Sequence, residues 1–218
     1  MLFRSLAVRG QIVPSTLDDV TLAARFPGGK IVRGESKLPL EGVPPQEVWI
    51  EPRDSAAHPA AVRALLDADL IVIGPGSLYT SVLPNLLVPG IGRAVKESKA
   101  HKVFISNVAT QRGETDDYTA ADHYAAIRRH LQDDALVDVV LANSNLPSEP
   151  LNPDWHSQPV LAPGDADYGT ARLVLADLVD TERRYRHNGE TLAAVVMRAY
   201  WERDLRVQAS AAFAEARP

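Results

Sequence analysis

Helix-length segments alternate with short apolar runs through the middle of the chain, and this alternation restricts the fold more than any other feature. The run Leu70-Ile71-Val72-Ile73 contains no polar residue and predicts a strand buried on both faces. Strands separated by helices form right-handed crossovers in a parallel sheet. We therefore predict an α/β fold, a Rossmann-like parallel sheet with flanking helices. The other predicted strands are Lys102–Ser106 and Val137–Leu141, and the predicted helices are Ala60–Leu66, Ile91–Ser98 and Ala120–Leu131.

A β-hairpin is predicted as an insertion before this core. Val20–Phe26 and Ile31–Glu35 flank Pro27-Gly28-Gly29-Lys30, which is a strong turn signal, and Glu47–Glu51 predicts another short strand. After the core we predict a loop over Ser144–Pro159, a short strand at Val160-Leu161, and helices over Ala171–Leu178 and Thr191–Trp201. At the start we predict the last turns of a helix over Met1–Arg9 and a strand over 9–16, and we divide the chain into one domain, 1–205, and a helical or frayed tail, 206–218.

Composition narrows the classes of function. The formal net charge of -5 argues against a general surface for nucleic acid or anionic membranes, because both need a surplus of Lys and Arg. The absence of cysteine excludes disulfides, thiolate metal sites and cysteine nucleophiles, and it fits a reducing compartment. Prolines interrupt the longest apolar stretch, and no signal peptide is predicted. We therefore expect a cytoplasmic protein without a nucleic-acid or membrane partner.

The loop Gly74-Pro75-Gly76-Ser77 directly follows the first core strand. In open parallel sheets, ligands bind outside the carboxyl ends of the strands. Glycines let the backbone approach a ligand, and a following helix start offers N–H groups and a positive dipole end that suit phosphate. Ser77, Thr80 and Ser81 add hydroxyl donors. The same pattern also fits a plain strand-to-helix turn with Ser77 as its N-cap.

A second polar loop, Ser106–Thr115, follows the next strand along the chain. Its amides could pair with the edge of a base such as uracil, and its carboxylate could bind sugar hydroxyls. Either loop alone is also explained by solvation. Two such loops at neighbouring strand ends, however, would line one crevice, which favours a binding site.

Asp122 and His123 open the following helix and could hold a metal through water or handle a proton. A single histidine on a helix is more often structural, and zinc-type ligand spacing is absent. Arg9 fits either a phosphate contact or a surface arginine. The sequence has neither a Gly-x-Ser-x-Gly elbow nor a Walker loop. The other histidines share no face and are predicted as surface residues: His58, His101, His130, His156 and His187.

Several motifs occur in a characteristic order: Arg9-Gly10, Val13-Pro14-Ser15-Thr16, Gly34-Glu35-Ser36, the Gly-Pro-Gly-Ser element within Ala68–Leu87, Thr110-Gln111, Gly113-Glu114-Thr115 and Asp122-His123. This combination resembles the YvcK gluconeogenesis factor family of the CofD-like superfamily, closely over Leu6–Asn143 and more weakly to about Arg203. The resemblance implies a cytoplasmic bacterial protein that binds UDP-sugars such as UDP-N-acetylglucosamine. It also implies a link to cell shape and wall synthesis on gluconeogenic carbon.

One part of the family pattern is missing. The family opens with a strand, a Gly-Gly-Gly-Thr-Gly loop and a helix, and this sequence has none of them before Met1. The chain therefore resembles the C-terminal two-thirds of a member, an N-terminally truncated CofD-like fold. We expect such a truncation to expose a sheet edge and to remove one phosphate-contacting loop.

Three hypotheses remain open. The first is a UDP-sugar-binding regulatory protein without a cofactor, with regulatory or homo-oligomeric protein partners. The second is a transferase of the CofD type, which moves 2-phospho-lactate from a guanylylated donor to a deazaflavin; there, Asp122 or Glu114 would position a divalent cation. The third is a non-binding relic. The transferase loop resembles Gly-Pro-Ser-Asn-Pro, whereas this chain has Gly-Pro-Gly-Ser-Leu, which favours the first. The candidate ligand-binding residues are Arg9, Gly74, Pro75, Gly76, Ser77, Tyr79, Thr80, Ser81, Asn85, Asn107, Thr110, Gln111, Glu114, Thr115, Asp122 and His123.

Overall fold

Two β-sheets organise the chain, and the first is a small antiparallel sheet. The computed structural model describes residues 10–146, 156–183 and 185–215, with side-chain surroundings as far as 203. Strand β1 (Thr21–Arg25) lies between β2 (Ile31–Arg33) and β3 (Glu47–Glu51) and is antiparallel to both. In the β1–β2 turn, Gly28 and Gly29 have φ angles of 78° and 84°, which glycine adopts without steric cost. The predicted hairpin is confirmed.

The second sheet has four parallel strands in the order β4-β5-β6-β7. This arrangement confirms the predicted α/β class, because helices connect and flank the strands. The strands are β4 (Leu70–Ile73), β5 (His101–Ile105), β6 (Val139–Asn143) and β7 (Arg172–Ala176), and the helices are α1 (Pro59–Leu66), α2 (Leu83–Leu86), α3 (Pro89–Glu97), α4 (Ala120–Leu131) and α5 (Gly189–Glu215).

Apolar side chains bury both faces of the parallel sheet. On one face, Phe104 of β5 and Val140 of β6 share a cluster with Ile127 of α4 and with residues of the antiparallel sheet. On the other face, Leu141 of β6 packs with Val196 of α5. The carboxyl ends of the strands are left to the loops, which is where ligands bind in sheets of this kind.

Three predicted elements are wrong. The segment Ala171–Leu178, predicted as a helix, contains β7, which pairs with β6 over five residues. Its apolar residues fit both periods, and strand pairing satisfies backbone groups along the edge of β6. Val160-Leu161 is not a strand, since an isolated bridge between Ala109 and Pro159 is all that forms there. Similarly, the strand predicted over 9–16 is reduced, in its described part from Gly10, to one bridge between Thr16 and Ala57.

Strand β4 is at the edge of the sheet rather than inside it. It pairs with β5 alone among the described strands, and the side chain of Val72 is 42% exposed. The prediction that β4 is buried on both faces is therefore wrong for the face that carries Val72. Its neighbours Ile71 and Ile73 are buried in the main core.

Helix α5 is longer than predicted and continues past Arg206 to Glu215. None of the helices in the described ranges combines the length and apolar composition needed to cross a membrane. The predicted helical turns at Met1–Arg9 and the middle of the predicted loop, residues 147–155, lie outside the described residues.

Candidate functional site

The two polar loops predicted from the sequence meet at the carboxyl ends of β4 and β5. They line a cavity of about 620 Å³, which we call the strand-end cavity. Parallel neighbouring strands place the loops that follow them at the same edge of the sheet, which explains why segments so far apart in sequence converge. The lining residues are Pro75, Gly76, Ser77, Asn107, Val108, Ala109, Thr110, Gln111, Ser157, Tyr185, Arg186 and His187.

The loop after β4 is held by its own neighbours. Gly74 has a φ of +82°, and a Cβ there would lie 3.0 Å from the carbonyl oxygen of Ile105. The side-chain amide of Asn107 bridges both backbone groups of Gly76, accepting from its N–H at 3.3 Å and donating to its carbonyl at 3.0 Å. Asn107 is thus used to fix the loop, and its amide is less free for a ligand than the sequence suggested.

Ser77 stands just before a π-helical turn, Leu78–Val82, that continues into α2. Its hydroxyl does not cap the helix, although its carbonyl accepts from the N–H groups of Ser81 and Val82 at 2.9 Å. Instead, Oγ of Ser77 accepts a hydrogen bond of 2.8 Å from Nε2 of Gln111. The hydroxyl proton of Ser77 remains available to a ligand in the strand-end cavity.

Thr80, which is partly buried, and the buried Glu114 form a hydrogen-bonded pair one helical turn further on. The Thr80 hydroxyl donates to Oε1 of Glu114 at 3.0 Å, and the Glu114 residue is only 4% exposed. The other oxygen, Oε2, has no partner among the described residues. Burial raises the pKa of this carboxyl above its usual range, while the bond from Thr80 acts in the opposite direction.

Thr110 and Thr115 are buried and bond to backbone. Thr110 exchanges two hydrogen bonds with Gln158, one from its own N–H at 2.8 Å and one accepted by its hydroxyl at 2.9 Å. The hydroxyl of Thr115 accepts from the N–H of Gln111 at 2.9 Å. Both threonines shape the loop after β5, and Thr110 alone of the two lines the strand-end cavity.

Three further candidates lie on the helical segment behind the loop. Tyr79 is fully buried, its hydroxyl is 2.8 Å from that of Tyr118, and burial raises its pKa. Asn85 donates to the carbonyl of Ser81 at 2.7 Å. Ser81 and Asn85 line a second, more apolar cavity of about 540 Å³ beside β4, which shares Pro75 and Gly76 with the strand-end cavity.

Asp122 and His123 have structural partners rather than a place in the cavity. Asp122 and Thr119 form a reciprocal capping box at the start of α4. His123 is fully buried, its Nδ1 lies 2.8 Å from the carbonyl oxygen of Thr119, and burial lowers its pKa. Neither residue lines a described cavity. Arg9 lies outside the described residues.

Four lining residues of the strand-end cavity were not predicted from the sequence: Ser157, Tyr185, Arg186 and His187. The guanidinium of Arg186 lies 5.8 Å from the ring centre of Tyr185. His187, predicted as a surface residue, is half-buried; its Nε2 lies 3.2 Å from the carbonyl oxygen of Ser106, and burial lowers its pKa.

Two other histidines were also wrongly predicted as surface residues. His101 is buried on β5 and pairs with Asp138 at 3.3 Å. His130 is half-buried on α4, where its Nε2 accepts a hydrogen bond from the backbone N–H of Val48. Both positions tie neighbouring elements together, which a scattered sequence pattern does not reveal.

A metal centre is not apparent in the ranges that the structure describes, because they contain no group of three or more His, Asp or Glu side chains placed to hold an ion. The polar groups of the described residues around the strand-end cavity are hydroxyls, amides, the imidazole of His187 and the guanidinium of Arg186. Such a set suits an anionic or hydroxyl-bearing organic ligand better than a bare cation.

Comparison with known proteins places this geometry in a family. A family model described as 2-phospho-L-lactate transferase CofD matches residues 1–188. The gluconeogenesis factor of Halalkalibacterium halodurans is 40% identical over 204 residues, covering 88% of this chain and 61% of that protein. The gluconeogenesis factor of Bacillus subtilis is 46% identical over 145 residues, covering 66% of this chain and 45% of that protein. The chain thus spans about half the length of these curated relatives.

A solved structure supports the same assignment. Two crystal structures of a Bacillus halodurans protein, one described as a member of the UPF0052 family, superimpose with TM-scores of 0.82 and 0.80. The identity is 37%, and the match covers 89% of this chain and 64% of that one. The chain belongs to the CofD family and, within it, to the YvcK-type gluconeogenesis factors.

Proposed function

We propose that the protein binds a UDP-sugar, such as UDP-N-acetylglucosamine, in the strand-end cavity and acts as a cytoplasmic regulatory protein. Its role would link cell shape and cell-wall synthesis to growth on gluconeogenic carbon, as the resemblance to the YvcK family implies. The observation that carries the binding proposal is one cavity of about 620 Å³ that combines Arg186, the Ser77 hydroxyl and a glycine-bearing loop. Its volume is within the range of about 300 to 1,000 Å³ that is usual for small-molecule sites.

Charge decides where a diphosphate would lie. Arg186 is the one Lys or Arg among the described residues that line the strand-end cavity. No acidic side chain of the described residues forms an ion pair with it. A guanidinium binds phosphate oxygens through paired, charge-assisted hydrogen bonds. Because Glu114 occupies the space beside Thr80, we place the diphosphate between Ser77 and Arg186, away from Thr80.

The remaining chemistry of the cavity suits the nucleoside and the sugar. Tyr185 also lines the cavity, beside the Arg186 guanidinium, and aromatic rings commonly take part in holding a base. The Val108 carbonyl already accepts from the N–H of Val160, so the backbone groups of Ala109, which also lines the cavity, are the ones suited to the edge of uracil or to sugar hydroxyls. The names of the curated relatives support a role in gluconeogenic growth over a digestive or structural one.

Calorimetric titration of the wild-type chain with a ligand panel tests the proposal. UDP-N-acetylglucosamine and UDP-glucose should bind saturably, whereas N-acetylglucosamine alone should not, because it lacks the diphosphate that Arg186 is expected to hold. GDP serves as a nucleotide control. Equal binding of free sugar and UDP-sugar, or binding of GDP alone, would reject a UDP-sugar site.

The transferase alternative is separated by a turnover assay. Release of a guanine nucleotide that depends on a deazaflavin acceptor would favour a CofD-type reaction over a regulatory function. Binding of UDP-N-acetylglucosamine without such release is the result that the proposal predicts. A folded chain that shows neither event would correspond to a relic without a ligand.

A further inference from the structure

Gln111 and Glu114 each hydrogen-bond to a residue at the start of the helical segment beside the strand-end cavity. We call this pair of residues the Gln111–Glu114 clamp. Gln111 donates to Oγ of Ser77 at 2.8 Å, and Glu114 accepts from the Thr80 hydroxyl at 3.0 Å. The backbone N–H of Tyr79 also acts on Glu114, in the direction that lowers the pKa of its carboxyl. The clamp therefore fixes both a residue that lines the cavity and the turn behind it.

The loop that carries the clamp is itself tightly seated. Gly113, between the two clamp residues, has a φ of +77°, and a Cβ there would lie 2.2 Å from the carbonyl oxygen of Pro39. Its N–H donates to a carboxylate oxygen of Asp116 at 2.5 Å. The loop packs closely against the short 3-10 segment Glu35–Glu41, which restricts its movement. This packing keeps the Glu114 carboxyl close to Thr80.

The surroundings of Glu114 disfavour a negative charge. Glu114 is 4% exposed, and its Oε2 has no partner among the described residues. Thr80 and Tyr79 face it from the helical segment with neutral donors, and the charged group that acts on it from the 3-10 segment is another carboxylate, Glu35. No cation of the described residues offsets these two acids at the clamp. The orphaned oxygen is the natural place for a proton, because an unpaired buried charge costs far more than a neutral hydroxyl.

We propose that Glu114 is a positioning residue whose carboxyl takes up a proton when an anionic ligand binds in the strand-end cavity. Ser77 and Thr80 are three residues apart, so the ligand phosphates at Ser77 would lie about one helical turn from Glu114. Two negative charges at that separation repel in a poorly solvated site. The proton comes from the buffer and is carried by Oε2, so that ligand binding and protonation of Glu114 favour each other.

The inference rests on the proposed ligand site and goes beyond it, since it predicts how pH regulates that site. A nucleotide sugar is a suitable probe, because each of its phosphates carries one ester and shares the anhydride bridge, so neither has the second ionisation near pH 6 of a terminal phosphate. Any proton taken up between about pH 6 and 8 therefore belongs to the protein. His187 also lines the cavity and could contribute, so it needs its own variant.

The test is calorimetric titration with UDP-N-acetylglucosamine in buffers of different ionisation enthalpy, across a series of pH values. The dependence of the observed heat on the buffer gives the number of protons taken up per ligand. We expect proton uptake in the wild type, up to one proton per ligand at pH values above the ligand-free pKa of Glu114, with an affinity that falls by up to about tenfold per pH unit as pH rises. Uptake should vanish in Glu114→Gln and persist in His187→Gln, whatever the affinity of the latter.

The controls separate the possible failures. Glu97→Gln removes an exposed carboxylate on α3 and should leave the proton uptake unchanged. If Glu114→Gln does not fold, difference infrared spectra of the wild type should still show a protonated-carboxyl band on ligand addition. Binding without proton uptake, or uptake that survives Glu114→Gln, overturns this inference and leaves the proposed function intact. Absence of binding by folded wild-type protein rejects both.

Discussion

The Thr80 hydroxyl donates a 3.0 Å hydrogen bond to the buried carboxyl of Glu114. This contact changes how the glycine-containing loop after β4 must be understood. The start of the helical segment behind the loop is not open to phosphate at Thr80, because the acidic side chain of Glu114 already bonds to Thr80. The part of the loop that remains open to a ligand is the Ser77 side, which lines the strand-end cavity together with Arg186.

Glu114 should make stability depend on pH in a defined direction. Burial raises its folded-state pKa above the ordinary value of 4.5. The folded state therefore holds a proton that the unfolded state loses first, and the associated stability is present below about pH 4.5 and is lost as pH rises through the folded-state pKa. We expect the free energy of unfolding of the wild type, relative to Glu114→Gln, to fall as pH rises from that value. Urea denaturation at a series of pH values measures it, and parallel curves would refute the burial argument.

His123 should have the opposite dependence. Burial lowers its pKa below the ordinary value of 6.5, so the unfolded state takes up a proton first as pH falls. Stability is then present above pH 6.5 and is lost as pH falls towards the folded-state pKa, by up to about 1.4 kcal/mol per pH unit for one proton. His130 and His187 act in the same direction. In the variant His123→Phe, the slope of the unfolding free energy against pH should decrease by the amount expected for about one proton. An unchanged slope would show that His123 is protonated in the folded state.

A variant of Asp122 tests whether this residue binds the ligand or only stabilises the fold. It caps α4 together with Thr119 and lines no described cavity. We expect Asp122→Ala to lower the free energy of unfolding by about 0.5 to 2 kcal/mol through loss of the cap. The affinity for UDP-N-acetylglucosamine should stay within twofold of the wild-type value, roughly the 0.4 kcal/mol within which distant sites are independent. A large loss of affinity at unchanged stability would return Asp122 to the binding site.

The sequence predicts the strand ends better than it predicts what their side chains do. Parallel strands bring the loops after β4 and β5 together whatever their composition, so the convergence of Ser77 and Gln111 follows from alternation alone. The role of each polar group does not, because Asn107 and Thr115 can bond to backbone as readily as to a ligand. Arg186 comes from a segment far along the chain, and only tertiary packing brings it to the same cavity as Ser77.

Strand β7 shows the same limit at the level of the fold. The sequence around Leu173 satisfies a helical period and a strand period about equally, so local pattern cannot choose between them. The choice depends on the edge of β6, which pairs with β7 from Val139 to Asn143. Contacts between segments that are remote in sequence thus determine both the formation of β7 and the position of Arg186 in the cavity.

Two valines test the description of the sheet edge. Val72 on β4 is 42% exposed, whereas Val103 on β5 is fully buried. Replacing each by threonine introduces a hydroxyl of nearly the same size. Val103→Thr should cost about 1 to 3 kcal/mol of unfolding free energy, because the hydroxyl is buried. Val72→Thr should change it by less than about 0.5 kcal/mol. Equal costs in denaturant titration would mean that the edge of β4 is covered in solution.

The most direct test of the account is the affinity of UDP-N-acetylglucosamine for Arg186→Ala, measured by calorimetry beside the wild type. Arg93→Ala is the matched control, since it removes an exposed arginine of α3 that lines none of the described cavities. Loss of charge-assisted hydrogen bonds to a diphosphate should weaken binding by roughly 10- to 100-fold in Arg186→Ala, with the control unchanged. Saturable wild-type binding that both variants retain equally would contradict a ligand held between Ser77 and Arg186.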